Sequence, residues 1–139
     1  MTKPWCKELD DFAVVVESDN RRVVMAKGLA KEFGKVAKKD KANLRSWLEI
    51  WTEDREGAIS TQRFKSQDSF TDAKGRRIQI WAFKSYQARL YGFIRKIEGK
   101  ETFLVTAADA AKKDDKADSA KLQRASKEGF KALDAVGIR

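Results

Sequence analysis

Residues 78–106 run Ile78-Gln-Ile-Trp-Ala-Phe-Lys-Ser-Tyr-Gln-Ala-Arg-Leu-Tyr-Gly-Phe-Ile-Arg-Lys-Ile-Glu-Gly-Lys-Glu-Thr-Phe-Leu-Val-Thr106. Three apolar stretches in this run decide the fold: Ile78–Phe83, Ala88–Ile97 and Thr102–Thr106. They are rich in the β-branched and aromatic side chains that favour strands. Ser85-Tyr86 interrupts the first two stretches. Glu98-Gly99 separates the last two, where glycine tolerates the positive φ of a tight hairpin turn. The sequence therefore predicts an antiparallel meander of three strands.

Helical spacing of apolar residues predicts helices on both sides of this meander. The pattern between Asn20 and Ala37 predicts an amphipathic helix of about 18 residues. A second helix is predicted from Asp40 to Gly57. Because the link between these two helices is short, they should form a helical hairpin. A third amphipathic pattern predicts a final helix from Asp115 to Val136.

The remaining segments carry weaker signals. Phe12–Val16 is either an edge strand or the end of a helix, since periodicity does not distinguish a short apolar run. Ile59–Lys65 predicts a weak strand, and the polar stretch Ser66–Arg77 predicts a loop. The mixed composition of residues 1–11 predicts partial disorder. We therefore expect one α+β domain over residues 1–139. Its antiparallel sheet of about three to five strands should carry the helical hairpin on one face, with the C-terminal helix beside it.

Composition excludes several classes of protein. With 139 residues, 42% of them apolar and 37% charged, the chain fits a single globular domain. The single cysteine, Cys6, excludes an intramolecular disulfide and suits a reducing cytoplasm. The absence of histidine excludes His-based triads and the commonest zinc ligand, so we expect no metal and no cofactor. No apolar run approaches the roughly 18 residues of a membrane span.

The positive charge is unevenly distributed. The chain carries a net charge of +9, and residues 63–113 hold 12 Lys/Arg against 5 Asp/Glu. A basic segment in an otherwise nearly neutral chain indicates a polyanionic partner, with nucleic acid foremost. The alternative is a solvated basic face that aids solubility.

Two short motifs suggest a family. Gln87-Ala-Arg-Leu-Tyr91 and the pair Lys112-Lys113 resemble the RelE/ParE toxin superfamily, especially its phage-derived, HigB-like branch. In such chains two helices precede a strand with a Tyr/Trp-Arg-hydrophobic-Tyr pattern, and a lysine pair follows the last strand. The resemblance covers residues 58–130. Two features depart from the family: the chain has no histidine, and its lysine pair lies several residues beyond the final strand.

The resemblance implies a function. It implies the toxin component of a type II toxin-antitoxin system, an endoribonuclease that inhibits translation by cleaving messenger RNA. Its expected partners are a cognate antitoxin protein and RNA, either free or on the ribosome. The alternative is a non-enzymatic protein on the same scaffold that binds gyrase or nucleic acid, or a phage-derived protein whose activity has been lost, because fold alone does not determine activity.

The residue types suggest how RNA would be cleaved. Attack by a 2′-hydroxyl needs a proton acceptor, cations on the phosphorane and a proton donor for the leaving oxygen. Arg89 can bind a phosphate bidentately, and Lys84 and Tyr91 can transfer protons. Strand alternation predicts that Arg89, Tyr91 and Phe93 lie on an open sheet face, opposite Leu90. The expected RNA-binding residues around this centre are Arg63, Lys65, Trp81, Lys112 and Lys113. The alternative is that Arg89 and Tyr91 form a cross-strand pair that only covers the sheet, and that the lysines are solvated.

Overall fold

The computed structural model describes residues 6–53, 63–110 and 119–136. These residues form six strands and three α-helices: β1 (Phe12–Glu17), β2 (Arg21–Ala26), α1 (Ala30–Gly34), α2 (Lys38–Thr52), β3 (Phe64–Thr71), β4 (Arg77–Ser85), β5 (Ala88–Ile97), β6 (Lys100–Asp109) and α3 (Ser119–Ala135). Short 3-10 helices lie at Lys7–Leu9 and Lys27–Leu29. Among the helices of these residues, none is long and apolar enough to cross a membrane.

The strands form one mixed sheet in the order β1-β2-β6-β5-β4-β3. Neighbouring strands are antiparallel except β2 and β6, which run parallel. A parallel pair needs a long crossover, and the chain between β2 and β6 contains α1, α2 and the β3–β5 meander. Helices α1 and α2 cover one face, and α3 covers the other. The domain therefore has three layers with the sheet in the middle.

Helix α2 buries an aromatic-rich core against the sheet. Leu44, Leu48 and Trp51 recur at helical spacing and are at most 6% exposed. Trp51 packs edge-on to Phe103, with ring centroids 5.9 Å apart. Burial of each such side chain contributes about 1.5–3 kcal/mol. Arg21 fixes the end of the helix, because its Nη1 donates to the Trp51 carbonyl oxygen at 3.1 Å.

Helix α3 packs close to the opposite face of the sheet. At Gly129 an added Cβ would lie 2.8 Å from a ring carbon of Phe93 and 3.0 Å from the Cδ1 of Ile78. Only glycine allows this approach without a shift of its neighbours. As a result, Tyr91 and Phe93 are fully buried beneath the helix.

An ion-pair network, here called the latch, joins the end of α3 to the β3–β4 turn. Arg76 bridges Asp72 and Asp134, and its Nη1 lies 2.8 Å from Asp134 Oδ1. Lys74 Nζ lies 3.1 Å from the same oxygen. Hydrogen bonds from Lys74 and Arg76 lower the pKa of Asp134. Burial opposes the ionisation of Asp72, but hydrogen bonds from Arg76 outweigh it and lower the pKa of that carboxyl too.

The predicted meander is confirmed. Strands β4, β5 and β6 are consecutive antiparallel neighbours. The β5–β6 turn is Glu98-Gly99, with φ of +53° and +77°. The predicted second and third helices correspond to α2 and α3, and residues 54–57 and 115–118 of those predictions lie outside the described residues. Phe12–Val16, which the sequence assigns either to an edge strand or to a helix end, lies in the edge strand β1.

The predicted architecture is wrong. The sheet has six strands and is mixed, instead of three to five antiparallel strands. Among the described residues, α2 and the five-residue α1 stand where a hairpin of two long helices was expected. The first predicted helix fails because Arg21–Ala26 is strand β2, whose valines lie between β1 and β6. The predicted loop over Ser66–Arg77 is wrong as well, because β3 continues to Thr71. Its polar composition reflects an edge strand, which needs few apolar side chains.

Candidate nucleic-acid interface

An open pocket of about 320 Å³ lies where the β4–β5 turn meets α2. It is here called the turn pocket. Its lining residues come from three separate parts of the chain: Asn43, Trp47, Arg63, Lys84, Ser85, Tyr86 and Arg89. Helix α2 supplies one wall, the residue before β3 supplies a second, and the ends of β4 and β5 supply the third. Of these seven described residues three are cations and none is an acid.

Arg89 is held at the back of the turn pocket. Arg89 is only 9% exposed, and its Nη1 donates to the carbonyl oxygens of Tyr86 and Ala88. A guanidinium has five N–H donors. These two bonds use Nη1 and do not involve the Nε and Nη2 donors of Arg89.

Lys84 and Arg63 bring two further cations to the same place. Lys84 lies on β4 directly opposite Arg89 on β5. The Lys84 backbone N–H donates to the Arg63 carbonyl oxygen at 2.8 Å, which links the start of β3 to the end of β4. The Arg63 guanidinium carbon lies 4.2 Å from the centre of the Trp47 ring. This cation–π contact orients Arg63 along the pocket wall.

Tyr86 is the aromatic side chain of the turn pocket that is open to solvent. It is 81% exposed, whereas Trp47 is only partly exposed. Sequence reasoning missed this residue, because it treated Ser85-Tyr86 only as a break between strands. The available signal was an aromatic residue in a break of about two residues, a position where glycine or asparagine is usual.

The structure brings three of the predicted site residues together. Arg63, Lys84 and Arg89 line the turn pocket. Lys65 is exposed on the edge strand β3 and does not line it. Trp81 is partly buried, and its ring stacks on Phe64 with centroids 4.8 Å apart. The predicted Lys112 and Lys113 lie outside the described residues.

The predicted open sheet face is wrong. Tyr91 and Phe93 have no exposed surface, because α3 covers the face to which they point. Arg89 is also nearly buried, although it lies at the strand end, where the turn pocket reaches it. Tyr91 therefore contacts no ligand in this conformation. The exposed tyrosine near Arg89 is Tyr86.

Several cations of the basic segment, residues 63–113, make contacts within the protein. Arg76 belongs to the latch, and Arg95 donates to the Arg77 carbonyl oxygen at 2.7 Å. Lys100 lies 2.9 Å from a carboxylate oxygen of Glu17. The net charge of residues 63–113 thus overstates the charge available to a ligand. Among the described residues, no group of three His, Cys, Asp or Glu side chains is placed to hold a metal ion.

Comparisons with known proteins found no relative of this chain. No family model matches it, and neither a curated protein nor a solved structure does.

Proposed function

We propose that this protein binds RNA at the turn pocket and cleaves it. In this proposal it acts in the cytoplasm as a metal-independent endoribonuclease of the RelE/ParE type, which inhibits translation and is held inactive by an antitoxin protein. One observation carries the proposal: Arg63, Lys84 and Arg89, from three separate segments, converge on one pocket whose lining residues, among those that the structure describes, include no acid. Such a cluster fits a phosphate better than it fits a neutral or cationic ligand.

The residues of the turn pocket suit the chemistry of RNA cleavage. The 2′-oxygen attacks the adjacent phosphorus and the 5′-oxygen leaves, so the products are a 2′,3′-cyclic phosphate and a 5′-hydroxyl. Arg63 and Arg89 stabilise the charge of the phosphorane, because a guanidinium stays protonated and binds two oxygens at once. Lys84 and the phenol of Tyr86 are the neighbouring groups that can transfer a proton.

A cleavage assay with matched variants tests this function. The wild-type protein should convert an end-labelled single-stranded RNA into fragments with a 2′,3′-cyclic phosphate. Lys84→Gln and Arg63→Gln should each reduce the rate by about 10²–10³, the usual cost of one preorganised charge donor. Arg77→Gln is the matched control, since it removes an exposed cation about 23 Å along β4 from Lys84. Equal rates in all four proteins would mean that the turn pocket is not the catalytic site.

A second test uses living cells. Expression of the wild-type protein in bacteria without an antitoxin should arrest growth and shorten messenger RNA, whereas Lys84→Gln should be tolerated at the same protein level. Normal growth at high levels of the folded wild-type protein would contradict the toxin function.

One observation favours a second candidate function. The tyrosine of the strand that resembles the toxin family, Tyr91, has no exposed surface. A chain that keeps the phosphate-binding cations without that tyrosine on its surface would bind nucleic acid and cleave nothing. Salt-dependent RNA binding with no cleavage product would support this binding protein over the enzyme.

A further inference from the structure

Tyr86 has an unfavourable conformation at the tip of the β4–β5 hairpin. It is the first residue of a two-residue turn between Ser85 and Ala88, and its φ is +53°. This left-handed region is disfavoured for L-residues, and bulky side chains are rare there. Its ring is also 81% exposed, so it adds little to the core. Neither the turn nor the core therefore explains a tyrosine at this position.

A polar network here called the α2 anchor holds the residue before Tyr86. Ser85 is 7% exposed, and its hydroxyl donates to Asp40 Oδ1 at 2.8 Å. Asn43 Nδ2 donates back to the same hydroxyl oxygen at 3.2 Å. Asp40 and Asn43 lie three residues apart on α2, so their side chains share one face of the helix.

Arg89 holds the backbone from the other side. Its guanidinium donates to the carbonyl oxygen of Tyr86 itself. The turn is thus fixed at Ser85 by α2 and at Tyr86 by β5. A sparsely populated backbone conformation persists where its surroundings over-determine it, and such residues concentrate at functional sites.

We infer that Asp40, Asn43 and Ser85 are positioning residues, which hold the Tyr86 ring beside the three cations so that it stacks on an unpaired base. The site would then take single-stranded rather than duplex RNA, because the faces of paired bases are already covered by their neighbours. This inference rests on the proposed RNA-binding function.

The probe is a single-stranded 2′-O-methyl RNA that contains one 2-aminopurine. It has no nucleophilic 2′-hydroxyl, and its fluorescence is quenched when the base stacks on an aromatic ring. The wild-type protein should quench it and should bind it at least about 5-fold more tightly than the same strand annealed to its complement. Tyr86→Ala should lose the quenching and about 5- to 150-fold in affinity. Tyr86→Trp should retain both.

The α2 anchor is tested with Ser85→Ala, which keeps the tyrosine. Quenching and affinity should fall, while the slope of log affinity against log salt stays that of the wild type, because no phosphate contact is removed. Ser46→Ala is the matched control, since that exposed serine on α2 bonds only to the Ala42 carbonyl of its own helix. Where Ser85→Ala melts below the assay temperature, Asn43→Ala replaces it.

The outcomes separate the inference from the proposed function. If the wild-type protein binds neither the single strand nor the duplex, the proposed function is wrong. If it binds both equally, or if a folded Ser85→Ala protein quenches the probe as the wild type does, the inference is overturned while RNA binding stands. Loss of quenching in a folded Ser85→Ala protein, with the salt slope of the wild type, would support the inference.

Discussion

Lys84 on β4 and Arg89 on β5 lie directly opposite each other, so two cations face the same end of the sheet. Like charges in this relation destabilise a sheet by up to about 1 kcal/mol. Arg89 is also nearly buried, which adds a desolvation cost that its two carbonyl acceptors offset in part. On its other side Arg89 lies opposite Asp109 of β6, so an acid and a cation flank it across the sheet.

The first prediction concerns salt. Each phosphate contact on a single strand contributes about −0.7 to the slope of log affinity against log salt. The three cations of the turn pocket should therefore give a slope near −2, and Lys84→Gln should reduce its size by about 0.7. Fluorescence anisotropy over a salt series measures both, with Arg77→Gln as the control. A slope that Lys84→Gln leaves unchanged would place the phosphate contacts elsewhere.

The second prediction concerns the stability of the Arg89→Ala protein. Loss of the guanidinium leaves the carbonyl oxygens of Tyr86 and Ala88 without this donor, so unfolding should become easier by about 1–3 kcal/mol. Arg89→Lys should recover part of the stability but little cleavage, because an ammonium lacks the bidentate fork. Urea denaturation and cleavage are measured on the same preparations. An Arg89→Ala protein as stable as the wild type would show that these bonds contribute nothing.

The meander was predictable because its strands are defined by neighbouring residues. The apolar runs of β4–β6 exceed what a polar loop would carry, and Glu98-Gly99 has the turn chemistry that a hairpin needs. Strand β2 was not predictable, because a run as short as Val23, Val24 and Met25 does not distinguish a helix from a strand, and helical spacing follows it in the sequence. Their partner, β6, lies about 80 residues later in the chain, and the pairing with it decides between the two.

The sequence predicted the cations of the turn pocket but not how they come together. The positive charges of Arg63, Lys84 and Arg89 mark the basic segment, but nothing local indicates that the residue before β3 reaches the end of β5. The sequence pattern favoured Tyr91 as the exposed tyrosine, but Tyr91 is buried and Tyr86 is exposed. Alternation along a strand gives the face to which a side chain points, but not whether another element covers that face. Here the cover is α3, which is distant in sequence.

The third prediction concerns two tyrosines: Tyr91 should stabilise the fold, and Tyr86 should bind RNA. Tyr91→Ala should cost about 3–5 kcal/mol of folding free energy, because it empties a fully buried site beneath α3. Tyr86→Ala should leave stability within about 1 kcal/mol or raise it, because the exposed ring makes few contacts and its turn is strained. RNA affinity should fall only in the Tyr86 variant, compared below both melting temperatures. A loss of affinity in a folded Tyr91→Phe protein would contradict this division.

The fourth prediction concerns acid. Because the folded-state pKa values of Asp72 and Asp134 are lowered, the latch stabilises the protein above the ordinary aspartate pKa of about 3.9. That stability should be lost as the pH falls through the lower folded-state values. The double variant Asp72→Asn, Asp134→Asn should therefore melt below the wild type at pH 7, with the difference shrinking below about pH 4. Melting curves from neutral to strongly acidic pH measure it, and a constant difference would mean that the carboxyl charges do not act.

The fifth prediction tests how closely β5 and β6 approach at Gly92. A Cβ at this position would overlap the Leu104 carbonyl oxygen and would lie 2.9 Å from a ring carbon of Phe103. A backbone carbonyl in a central strand cannot move aside as a flexible side chain can, so Gly92→Ala should cost about 1–3 kcal/mol or more of folding free energy.

Gly34→Ala is the matched control, because nothing lies within 4 Å of its added methyl group and its φ is not positive. The control should be neutral or stabilising by up to about 1 kcal/mol, through a smaller loss of chain entropy on folding. Both are compared with the wild type by urea denaturation, where the midpoint should shift at an unchanged slope. The register between β5 and β6 shifts between Tyr91 and Gly92. Equal stability of the two variants would mean that β6 moves away from Gly92 at this shift and makes room for the methyl group.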